Sequence, residues 1–191
     1  MAPAPLRKDA ARNWHKIVEV GRRLADDGAR IQLNDVARIA SVGVATVYRH
    51  FPTPEALVET VATPGLQSLA QQAERALTGD DPWTGLRDFL HAAISAQTTD
   101  AAVAAVLAAP QHVLSSTTEL MQQLTRLFGE LLGRAQAAGT ADPALTPADM
   151  APLMCGVAFA AKVRPATGAA GRAANARRYL DVLLEGVRTK G

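Results

Sequence analysis

Apolar residues return along this chain at the three- and four-residue spacing of an α-helix, and no segment shows the alternation of a half-buried strand. Ile17, Val20, Gly21 and Leu24 fall at i, i+3, i+4 and i+7. They predict an amphipathic helix from about Asp9 to a stop at Gly28. Residues 1–8, with two prolines and the basic pair Arg7 and Lys8, read as a flexible arm. Leu33, Val36, Ala37 and Ala40 repeat the spacing in a second, short helix. After a tight turn, Val44, Val47, Tyr48 and Phe51 do so again, with Tyr48 at the edge of the buried face. Ala45, Thr46, Arg49 and His50 are left on the outer face, and Pro52 and Pro54 close this helix.

Three short helices of which the last two flank a tight turn describe a helix-turn-helix module. Beyond it the helical signals continue. A fourth helix opens on Pro54 and carries Leu57, Val58 and Val61, and Pro64 is expected to kink or interrupt it. Asp81 before Pro82 reads as a helix cap, Ser116 with Glu119 as a capping box, and Thr146-Pro147 with Asp149 as a third start. Residues 117–138 and 172–188 each carry one apolar stripe. Residues 147–163 are apolar on nearly every side and need cover on more than one of them. The expected fold is all-α, with a DNA-binding-type module over 1–53 and a larger helical domain over 54–191.

Composition agrees with helix: the apolar share of 48% is carried mainly by Ala, Leu and Val, and aromatic residues are only 4%. The net charge of +2 is mild, yet Arg7, Lys8, Arg12, Lys16, Arg22 and Arg23 crowd the first two dozen residues. The single cysteine, Cys155, excludes an intrachain disulfide and fits a reducing compartment. No apolar run is long enough for a membrane helix, and a cytoplasmic location is expected, with no membrane partner. An enzyme would need a nucleophile with its base, a metal cluster or a phosphate cradle. His15, His50, His91 and His112 lack metal-helix spacing, and the glycine-rich stretch near 167–171 lacks the lysine and hydroxyl of a phosphate loop. No catalytic residue, metal or cofactor is therefore expected.

The stretch LNDVARIASVGVATVYRHFPTPEALVETV, residues 33–61, resembles the DNA-binding signature of the TetR/AcrR family of regulators. Val36-Ala37, Ala40, Val42, Thr46, Tyr48, His50-Phe51 and Leu57 fall in register with it. The resemblance implies a protein that binds double-stranded operator DNA as a homodimer and answers a small-molecule effector. Gly43, Val44 and Ala45 would then approach base edges in the major groove, with Thr46 beside them. Tyr48 and His50 would clamp phosphates, and Arg49 would reach a phosphate or a guanine edge. Arg7 and Lys8 join this set from the basic arm. Three positions depart from the family pattern. Ser41 stands where glycine is usual, Gln32 is a poor cap for the second helix, and Pro54 replaces a lysine that touches phosphate. Losing one phosphate contact should lower the salt slope of DNA binding by about one unit.

The effector pocket is expected among the middle helices, with Trp83, Phe89, His91, Ile94, His112, Leu124, Phe128 and Met154 as candidates. The dimer is expected to pair through the last two helices, by Leu153, Val157, Ala161, Leu180, Leu183 and Val187. Taken together these imply a ligand-responsive regulator, in the family's usual mode a repressor, on a palindromic operator. The alternative is a ligand-binding helical interaction protein whose helix-turn-helix no longer reads DNA.

Overall fold

Capping chemistry and helical apolar spacing recur along the chain, and the computed structural model turns them into nine α-helices over the described residues, 4–163 and 168–188, with backbone alone described at 4–8 and 169. They are α1 (Ala4–Asp26), α2 (Leu33–Ala40), α3 (Val44–His50), α4 (Pro54–Leu77), α5 (Pro82–Thr99), α6 (Ala101–Ala108), α7 (Ser115–Ala137), α8 (Pro147–Val163) and α9 (Gly168–Val187). No strand forms among the described residues; an isolated bridge joins Ala141 to Arg188.

The helices fall into two units. The first holds residues up to Thr63 together with Asp100–Thr117, and the second holds Pro64–Thr99 and everything from Thr118 onward. In the first unit, Ile17, Leu33, Val36, Val47, Phe51 and Leu57 are buried to 3% exposure or less and fuse α1 to α4 around one core. Helix α1 begins at Ala4, so the backbone of 4–8 is helical where a flexible arm was expected; a proline is harmless in a first turn. Its far end is closed by Gly28 at φ +69°, with Ala29 N–H bonding back to the Leu24 carbonyl at 2.9 Å. Gly21 allows α1 to sit on α4, since a Cβ there would lie 3.1 Å from the Leu57 side chain.

Helix α6 joins this unit through side-chain chemistry. Asp100 caps it, accepting from Ala102 N–H at 2.9 Å and Val103 N–H at 3.0 Å. The second oxygen of Asp100 takes a hydrogen bond from Arg22 of α1 at 2.7 Å, and the same guanidinium donates to the Val61 carbonyl of α4. One arginine thus ties three helices together. Buried Glu59 does similar service, accepting from the Val113 and Leu114 N–H groups at 2.8 and 2.9 Å ahead of α7. The expected capping box at Ser116 is therefore displaced: α7 starts one residue earlier, at Ser115, and Glu59 caps it from across the unit.

Pro64 does not interrupt α4, which continues from Pro54 to Leu77. Proline removes the one backbone donor that would reach the Thr60 carbonyl, and the Thr63 hydroxyl bonds back to the Glu59 carbonyl at 2.9 Å in the turn before it. The second unit packs the rest of α4 with α5, α7, α8 and α9 around Leu66, Leu86, Ile94, Leu131 and Leu180. Gly85 of α5 lies against the end of α4, where a Cβ would meet the Ala76 carbonyl oxygen at 2.9 Å. The Arg134 guanidinium closes that end, donating to the carbonyls of Leu77 and of Gly79, the latter at 2.8 Å. Asp81 caps α5 as its position suggested, while at α8 the expected Thr146 cap donates to Asp149, from its N–H at 2.9 Å and its hydroxyl at 2.6 Å.

Candidate nucleic-acid interface

The turn between α2 and α3 is made by two backbone hydrogen bonds and one unusual backbone conformation. Ser41 adopts the left-handed conformation, φ +52° and ψ +45°, which only glycine reaches without steric cost. Its N–H and that of Val42 close back on the carbonyls of Arg38 and Ala37 at 3.3 and 3.0 Å. The chain then reverses into α3 at Gly43, whose φ of −58° any residue could adopt. A Cβ on Gly43 would meet nothing closer than the Thr46 hydroxyl at 3.8 Å. The fold itself does not require glycine there.

Helix α3 is only seven residues long and divides sharply by face. Val47 is wholly buried, and Phe51 follows it into the core beside the Trp14 ring, 6.4 Å between centroids. Val44 was expected to turn inward with them but is 48% exposed, because the first turn of α3 projects past the edge of the core. Tyr48 is 46% exposed. Gly43, Ala45 and Arg49 lie on the same open surface, while Thr46 and His50 are half-buried at its edges. Seven of the nine residues expected to meet DNA thus lie together on or beside α3. The side chains of the other two, Arg7 and Lys8, lie outside the described residues.

The departures from the family signature take definite form. Gln32 holds the cap position of α2 and makes no side-chain hydrogen bond to it. Pro54 opens α4, where the Thr53 hydroxyl accepts from Ala56 N–H at 3.2 Å. Beside them, Tyr48 forms part of the wall of a half-open cavity of about 570 Å³ within the first unit. His112 lines the same cavity, away from the other pocket candidates.

Those others are packed in the second unit. Trp83, Phe89, Ile94, Leu124 and Met154 are buried, and the Phe128 ring stacks on Phe89 at 6.1 Å. His91 Nε2 lies 3.0 Å from Asp181 Oδ1, and Arg188 covers the Trp83 ring at 5.4 Å. The void beside Phe128, walled by Leu86, Leu90 and Met150, measures about 10 Å³, room for one water at most. Of the residues expected at a dimer surface, Ala161 and Leu180 are fully buried within their own chain, because α8 and α9 pack through them. Leu153 is exposed, and Val157, Leu183 and Val187 are half-buried. Exposed Phe159, Val163 and Val182 were missed, although each is a large apolar residue on the helices in question. Arg30 and Gln111, which flank the 570 Å³ cavity, gave no sequence signal, since they come from loops distant in the chain.

Comparison with known proteins agrees with this architecture. Residues 81–189, more than half of the chain, match the family model of the C-terminal domain of SbtR-like transcriptional regulators. A TetR transcription regulatory protein from Mycobacterium vanbaalenii is 28% identical, with 97% of this chain and 100% of that one aligned, at a TM-score of 0.53. A TetR transcriptional regulator from Streptomyces coelicolor is also 28% identical, over 93% of this chain and 99% of that one, at 0.58. The regulator FadR from Bacillus subtilis, solved with stearoyl-CoA, shares the fold at 14% identity, 91% and 99% coverage and a TM-score of 0.62. No curated protein matches the sequence.

Proposed function

The chain belongs to the TetR family of transcriptional regulators, and on that premise we propose that it is a repressor that grips a palindromic operator as a homodimer and releases it when a small-molecule effector binds. The observation that carries the DNA reading is the exposed face of α3. A helix so short has few positions to contribute to a core, yet it leaves Val44 and Tyr48 about half in water. Small residues precede them, so the backbone at Gly43 and Ala45 can come close to base edges. The Val44 methyls suit a thymine methyl, while the Tyr48 hydroxyl and the half-buried His50 ring supply donors for flanking phosphates. A two-fold dimer would place two such helices about one helical turn of DNA apart.

Effector release follows from linkage: a ligand that prefers a conformation unable to place both reading helices must weaken DNA binding by the same factor. The test is selection of bound sequences from a random duplex pool, with Tyr48→Ala alongside. The native protein should recover a palindrome, and the variant should not, at an unchanged melting temperature because Tyr48 contributes little to the core. Recovery of no motif by the native protein, even at low salt, would remove DNA from the reading.

A further inference from the structure

Arg22 belongs to the basic N-terminal stretch of the sequence, yet the structure turns its charge inward. It is half-buried, and its partners on α4 and α6 lie in the same unit. Nη1 donates to Asp100 Oδ2 at 2.7 Å and lies 3.6 Å from Asp26 Oδ1 of its own helix, while Nη2 donates to the Val61 carbonyl. The two distant partners stand at marked places in the chain. Val61 comes three residues before Pro64, where α4 lacks the N–H that would reach the Thr60 carbonyl, and a helix bends most easily at such a gap. Asp100 uses its other oxygen to cap α6 through the Ala102 and Val103 N–H groups. The division between the two units falls at these same points, between Thr63 and Pro64 and between Thr99 and Asp100. An isolated ion pair between half-exposed partners would stabilise little. A planar guanidinium that must meet acceptors on α4 and α6 at once fixes direction as well as distance.

We infer that Arg22 is a positioning residue for operator binding: it braces α4 beside its missing backbone donor against the start of α6, and so sets the spacing at which the two reading helices of a dimer meet DNA. It acts through α4 and α6 and not through a contact to the duplex. The operator step rests on the proposed function; the brace itself does not.

Asp100→Asn keeps an oxygen for the α6 cap but turns an amide NH2 toward the guanidinium, so it opens the brace without uncapping the helix. Asp26→Asn removes only the longer pair on α1 and serves as the control. Native-state hydrogen exchange of the full chain without DNA reads the brace. Amides at residues 65–68 of α4 should exchange about tenfold or more faster in Asp100→Asn than in the native protein or Asp26→Asn, with those of α9 unchanged. Equal rates in all three proteins overturn the brace. Operator binding reads the positioning. Each protein is measured on the palindrome selected by the native chain, on that palindrome with two base pairs inserted at its centre, and on a single half-site. The insertion rotates one half-site by about a fifth of a turn. It should weaken the native protein and Asp26→Asn about a hundredfold, to the level of one half-site, but Asp100→Asn by no more than about tenfold. All three should bind the single half-site alike. A role in stability alone would weaken Asp100→Asn equally on every duplex and leave the insertion penalty untouched. That result overturns the positioning role, as does a native protein indifferent to the insertion. If no protein binds any duplex, the DNA reading fails and the positioning role falls with it, while hydrogen exchange still decides the brace.

Discussion

Ser41 sits in a conformation that costs an L-residue steric strain, because its Cβ crowds the following carbonyl oxygen. Its hydroxyl is exposed and makes no hydrogen bond recorded among the described residues that would offset this. Ser41→Gly should therefore raise unfolding free energy by about 1 kcal/mol, the left-handed cost, reduced somewhat by glycine's greater freedom when unfolded. Urea denaturation at an unchanged m-value reads the change. A fall in stability would mean that the serine hydroxyl does something the backbone geometry does not reveal. This residue was legible in the sequence only through comparison with a signature, since nothing in SVGV announces a positive φ. Gly43 shows the converse. It looks like a turn glycine, yet its backbone is ordinary and space for a side chain is open, so the fold makes no demand for glycine there.

Helix ends carry the next set of consequences. Gln32 leaves α2 without a side-chain cap, and Gln32→Ser should add about 0.5 to 1 kcal/mol by supplying one. A thermal melt showing no gain would mean that the serine hydroxyl cannot reach the N–H groups of the first turn. At α5 and α8 carboxylates already accept N–H groups at the helix start. The Thr84 hydroxyl bonded to Asp81, and the backbone N–H groups of Thr84 and Trp83, hold its carboxyl below the ordinary value of 3.8. The Thr146 hydroxyl and N–H do the same for Asp149. Both are stronger acids folded than unfolded, so on acidification the unfolded chain takes up protons first. Their contribution is whole above pH 3.8 and is lost as pH falls through the lower folded values. The double variant Asp81→Asn, Asp149→Asn should thus show a shallower loss of stability below pH 4 than the native chain, measured as urea midpoints against pH. These caps were readable because each involves residues within three positions of one another. The cap on α7 was not, because Glu59 reaches Val113 across 54 positions of sequence. The interruption expected at Pro64 does not occur, because its rule is local and the helix is flanked there by residues buried in their own units, Val61 and Ala62 before it and Leu66 after it.

At the scale of the whole molecule, what water is left to cover decides the assembly. Helix α8 buries Met150, Met154, Ala158 and Ala161 against its own chain but leaves Phe159 68% and Val163 65% exposed. Helix α9 leaves Val182 71% exposed. Uncovered apolar residues of this size on the last two helices are what the proposed homodimer would cover. Of the expected stripe, Leu180 is buried in its own chain and Leu183 and Val187 are half-buried, whereas the most exposed apolar residues are Phe159, Val163 and Val182, because a single sequence cannot say which side of an all-round apolar helix its own chain takes. Phe159→Glu with Val182→Glu puts carboxylates where a dimer would desolvate them, at positions too exposed to disturb the fold. Sedimentation equilibrium should give a dimer for the native chain and a monomer for the double variant, with matching circular dichroism. On a palindromic duplex the variant should bind about a hundredfold or more weakly, since two linked reading helices act at a high effective concentration and a single one does not. On a duplex carrying one half-site the two proteins should bind alike. A monomeric native chain would leave the exposed apolar face unexplained and would withdraw the palindrome from the proposed operator, whereas a variant that stays dimeric would move the interface to another face of α8 and α9.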